Sequence, residues 1–195
     1  MLHGIRRRGW LRPAAFALAG LLGTVRAEAQ SGAVGNARVI TLAALKAGTL
    51  TVGVLSGMVQ NHPNVLDNAL NTFPTPVVIQ TQWNVNPGLT NTVNLMAYFT
   101  TPSQALTGGA VQIPSSRVRG RMTTGLPVAF TAFTENAVGG IGTAGGSLRL
   151  FSLNITGPNR NSSRTDNLDL QLDLTGMTLP PGTYRGTLNI RAVTQ

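Results

Sequence analysis

Polar and apolar residues alternate with a period of two through much of this chain, which predicts half-buried strands. In Val77 to Val85, positions Val77, Ile79, Thr81, Trp83 and Val85 share one face, while Gln80, Gln82 and Asn84 share the other. Asn86-Pro87-Gly88 then reads as a turn. Val93, Leu95, Ala97 and Phe99 form the inward face of the next strand. The sharpest alternation is "LDLQLDL", with Leu168, Leu170, Leu172 and Leu174 inward and Asp169, Gln171 and Asp173 outward. Tyr184, Leu188, Ile190 and Ala192 alternate with Arg185, Thr187, Asn189 and Arg191 after a Pro-Pro-Gly turn. Shorter strands are expected at 39–45, 50–54, 111–113, 118–122, 128–133 and 148–155, and 61–74 reads as a loop with one helical turn. Many short strands separated by Gly, Pro and Asn predict an all-β domain, first as an immunoglobulin-like antiparallel sandwich and second as a closed barrel.

The N-terminus has a different pattern. Arg6, Arg7, Arg8 and Arg12 form a basic region ahead of an apolar run, Ala14 to Val25, too short to span a bilayer as a helix. Ala27-Glu28-Ala29 fits a small-x-small cleavage pattern, so residues 1–29 read as a signal peptide and the mature chain as starting at Gln30. "RRGWLR" fits a twin-arginine signal as well as an ordinary Sec signal. Residues 30–46 form an N-terminal segment, either first strand or donor strand, and residues 47–195 the sandwich domain. No later apolar run is long enough to predict an integral membrane anchor in the mature chain.

Charge adds little. The whole chain carries +9, but ten basic and five acidic residues after position 29 leave +5, too moderate to argue for nucleic acid. With no cysteine, no disulfide staples an exported fold, and the apolar core must hold it alone.

Candidate chemistry is sparse. "GIGTAG" (Gly140 to Gly145) matches a dinucleotide-loop pattern but is followed by a strand-like segment rather than a helix, so it reads as a hairpin loop. Asp166, Asp169 and Asp173 suggest calcium. One strand cannot wrap a cation, so Asp169 and Asp173 read as solvent-facing charges that keep a leucine strand soluble. Arg117, Arg119 and Arg121 lie on one strand face, either as a polyanion stripe or as the charged guard of an edge strand. Trp83 is in phase with the core rather than with a sugar-stacking platform. Asn154 and Asn161 head N-x-[ST] sequons. No Ser/His/Asp triad, metal cluster or carboxylate pair can be assembled, so no catalytic residue and no cofactor or metal is predicted.

"NLDLQLDLTGMTLPPGTYRGTLNIRAV" (Asn167 to Val193) resembles the C-terminal part of the bacterial spore coat protein U family and related pilin-like secreted domains. The resemblance implies a subunit exported to the periplasm, the cell surface or beyond. Its partners would be copies of itself or homologous subunits, together with a periplasmic chaperone. It also implies that Tyr184, Leu188 and Ile190 line a groove that accepts a donor strand, with Ala33 to Leu45 as the donor. Two states stay open: a sandwich that needs a neighbour's strand, and one completed by its own N-terminal segment. The expected function is a non-enzymatic structural or surface-interaction protein, with a monomeric glycan-binding module as the alternative.

Overall fold

The structure is a computed structural model that describes the backbone of residues 36–39 together with residues 49–88 and 92–195. The proposed signal peptide, its cleavage site and most of the donor segment lie outside the described residues. Strands in the first half are β1 (Asn36–Val39), β2 (Thr49–Ser56), β3 (Leu70–Thr72), β4 (Val77–Asn84), β5 (Thr92–Tyr98) and β6 (Leu106–Gly108). The second half adds β7 (Val111–Ile113), β8 (Val118–Met122), β9 (Thr131–Ala132), β10 (Ser147–Asn154), β11 (Asn161–Asp173) and β12 (Thr187–Thr194). Helix among the described residues is confined to two short 3-10 turns, Pro102–Gln104 and Ser115–Arg117. The expected helical turn within 61–74 is absent; that segment instead contains β3.

The strands divide into two main sheets and a small β6–β7 hairpin. One sheet has the order β1-β12-β5-β10; the other runs β2-β4-β11-β8-β9, with β3 also paired to β11. Every pairing is antiparallel except that of β1 with β12. Strands β3 and β4 follow one another along the same side of β11, at Leu70–Thr72 against Gln171–Asp173 and Val77–Asn84 against Asn161–Leu168. Pro74 and Pro76, which have no N–H for the ladder, stand at the break between them.

The inner side chains of both sheets form one core. Val77, Ile79 and Trp83 of β4 and Leu168, Leu170 and Leu172 of β11 join Val93, Leu95 and Ala97 of β5 and Leu188, Ile190 and Ala192 of β12. Gly120 sits at a close approach of the sheets: a Cβ there would lie 2.7 Å from the Leu148 side chain of β10. The predicted turn after β4 forms, with the Asn86 side-chain oxygen accepting the Gly88 N–H at 2.9 Å.

The outer face of β5 is buried as well as its inner face, with Met96 0% exposed. The chain beyond β9 folds back over this sheet, so that a Cβ on Gly139 would meet Val193 and Gln195. "GIGTAG" belongs to that loop. Val138 and Ile141 exchange backbone hydrogen bonds of 2.8 and 3.0 Å around Gly139 and Gly140, both at positive φ, and strand β10 follows. It forms the expected hairpin loop.

Candidate functional site

The edge of β12 combines several of the residues singled out from sequence. Pro180 to Gly182 bring the chain to Tyr184, whose hydroxyl donates to the Pro180 carbonyl at 2.7 Å. Arg185 then exchanges backbone hydrogen bonds with Thr107 of β6 at 2.8 and 2.9 Å. Gly186 is needed for this approach, because a Cβ there would lie 1.8 Å from the Ala105 carbonyl oxygen. From Asn189 to Thr194 the strand pairs with β5 on one side. On its other side, Thr187–Ile190 pair in parallel with the four residues of β1. Arg191–Thr194 have no named strand partner on that side among the described residues. Leu188 and Ile190 point into the common core and Tyr184 packs over Gly108. All three are buried, so they line no open groove in this state.

Arg119 and Arg121 lie on one face of β8, Arg117 closes the 3-10 turn just before it, and β8 is not an edge strand. It pairs with β11 on one side and with the two residues of β9 on the other. The register sets Arg121 opposite Asp169 and Arg119 opposite Gln171, one step from Asp173. Arg121 reaches Asp169 at 2.6 Å and stacks 4.6 Å from the Phe130 ring centroid. Arg119 pairs with Asp173, and Arg117 donates to the Thr175 carbonyl at 2.8 Å. The aspartates are therefore partners of the arginine stripe rather than free solvent-facing charges. Asp173 is only 6% exposed. Burial pushes its carboxyl up, but hydrogen bonds from the Thr175 hydroxyl and backbone N–H, aided by the Arg119 and Arg117 charges, outweigh burial and hold it below the ordinary value.

Asp166 lies elsewhere, on the inner face of β11, and is completely buried. Arg164, two residues earlier on the same face, meets its two oxygens at 2.6 and 2.5 Å, and the Thr124 hydroxyl donates to it at 2.7 Å. The guanidinium also stacks 4.3 Å from the Phe151 ring centroid. The remaining carboxylates after residue 30 are also engaged: Asp67 accepts the Leu179 N–H and Glu135 the Arg149 N–H, both at 2.9 Å.

Trp83 is 4% exposed and donates its indole N–H to the Asn159 carbonyl at 2.8 Å, so it is a core residue and not a stacking platform. Beside it lies a depression of about 600 Å³ on the outer face of β2, β4 and β11. Its side-chain lining includes Thr49, Thr51, Gln82, Asn84, Asn161 and Ser163. Sequence reading did not assemble this surface. Its only signal was the run of outward Gln and Asn in β4, and the neighbours appear only with the strand register. Among the described residues, no helix is long and apolar enough to cross a membrane.

No protein-family model matches the chain, and no curated protein matches it either.

Proposed function

We propose that this chain is an exported, non-enzymatic structural or surface-interaction protein. In this reading residues 1–29 are removed, and residues 47–195 form an immunoglobulin-like sandwich of the spore coat U or pilin-like kind. Copies associate by exchanging the N-terminal strand along β12. One observation carries the reading: a single short parallel strand, β1, occupies that edge of β12. Parallel pairing is slightly weaker per residue than antiparallel pairing, and a strand of four residues offers few backbone hydrogen bonds. The same segment of a second copy presents identical chemistry, so exchange replaces like with like. The engagement of all five carboxylates after residue 30 in structural contacts supports a non-catalytic role.

The absence of native cysteine makes the exchange directly testable. Arg38 and Asn189 are register partners. Arg38→Cys and Asn189→Cys proteins, mixed and mildly oxidised, should yield a disulfide-linked heterodimer. A mixture that stays monomeric, alongside a double variant that forms the bond within one chain, would overturn strand exchange. Intact mass of protein recovered from the native host should start at Gln30; retention of Arg6 to Arg12 would refute the export signal.

A further inference from the structure

The outer face of the larger sheet has two chemically distinct halves. Toward the C-terminal end of β11 its charges are tied up in the Arg–Asp pairs. Toward the N-terminal end, register aligns Thr49, Asn84 and Asn161 in one row and Thr51, Gln82 and Ser163 in the next. A third row holds Gly53, Gln80 and Thr165. These three rows contain only hydroxyls, amides and a glycine. All six residues of the first two rows are exposed and line the depression of about 600 Å³.

We propose that this neutral half binds an extended, uncharged polysaccharide. A sugar chain presents vicinal hydroxyls that both donate and accept. Amide side chains offer one donor group and one acceptor each, and Ser and Thr hydroxyls do both. The lack of any charge in the three rows removes the attraction that would select a uronate, phosphate or sulfate polymer. Strands set about 4.8 Å apart, with same-face residues about 6.7 Å apart along each, hold these groups in a rigid lattice. Thr, Ser and Asn side chains are short and lose little freedom on binding. A hydrogen bond of 3.0 Å from the Gln82 side-chain amide to the Gln80 side-chain oxygen further orients these two side chains. Because Trp83 is buried, recognition runs through hydrogen bonds rather than ring stacking, and a chain long enough to cross several rows is required. This inference does not depend on strand exchange at β12.

The test titrates the chain with three neutral hexasaccharides: β-1,4-glucose, α-1,4-glucose and β-1,4-mannose. Binding is followed by calorimetry or amide chemical shifts. At least one should bind, with shifts confined to β2, β4 and the first half of β11. Gln82→Ala and Asn84→Ala should each weaken that binding about fivefold to tenfold, the loss of one or two hydrogen bonds. Both are exposed, so their melting curves should match the parent. Heparin, a polyanion, should not compete. No binding of any hexasaccharide at about 10 mM, a range weaker than millimolar affinity, overturns the proposal. So does binding that survives the double variant, or displacement by heparin. Self-association lost on Gln82→Ala, without sugar binding, would assign the face to a second copy and equally overturn it.

Discussion

The leucine half of β11 and strand β12 show the same regular alternation, yet the two strands are held in different ways. β11 has β4 and β3 along nearly the whole of one side and β8 beside Leu168–Leu172 on the other. Its outer face is tied to β8 by ion pairs, and its inner face holds leucines and a buried Asp166 paired with a half-buried Arg164. β12 pairs with β5 from Asn189 to Thr194, and on its far side β1 pairs with Thr187–Ile190. Alternation therefore reports which face of a strand is buried. It carries no information about what lies beside the strand, and the neighbour decides whether an edge is permanent or exchangeable.

The largest expected effect tests how dry the inner end of β11 is. Arg164→Ala leaves the fully buried Asp166 carboxylate with only the Thr124 hydroxyl, and should cost about 3–5 kcal/mol in urea unfolding. A loss below about 1 kcal/mol would mean that water reaches Asp166 and that the pair behaves as a surface one. Next comes Leu188→Ala on β12, expected to cost about 3 kcal/mol through lost burial and the cavity left behind. A much smaller loss would show that the β12 side of the core collapses easily, which would sharpen the contrast with β11.

The smallest effect concerns acid. The Asp173 carboxyl is held below 3.8, the ordinary value that the unfolded chain should show. The folded state thus releases this proton more readily, so the contribution is fully present above about that value. It fades as pH falls through the lower folded pKa. Asp173→Asn should lower stability at neutral pH by about 1 kcal/mol, given a partner that is partly solvated. It should also flatten the acid limb of the stability curve. An unchanged acid limb would remove the ladder's claim to hold β8 against β11.

Much of the fold could be read from sequence. The faces of β4 and β12 and of the leucine half of β11 follow directly from alternation, because each buries an apolar set on one side only; β5, whose outer Met96 is buried too, is legible only on its inner face. The first half of β11 could not be read this way. "NSSRTDN" is polar at every position, because the inward Arg164 and Asp166 satisfy one another and leave no hydrophobic signal. The arginine and aspartate stripes were each visible, but their pairing depends on a register between segments some 50 residues apart. For the same reason β8 could be mistaken for an edge. At the candidate interface, Leu188 and Ile190 were legible as inward residues. The partner of β12 was not, since a parallel neighbour leaves no mark on the periodicity of either strand.

The parallel course of β1 and β12 also has a mechanical consequence. Asn36 stands beside Thr187, whereas the other end of β12 lies four residues beyond the last β1 partner, Ile190. Tension that draws Asn36 and Thr194 apart therefore slides the two strands along one another and loads their hydrogen bonds together. An antiparallel neighbour, pulled at adjacent ends, would open one bond at a time like a zip. The short β1–β12 contact is thus oriented to resist a pull along the chain.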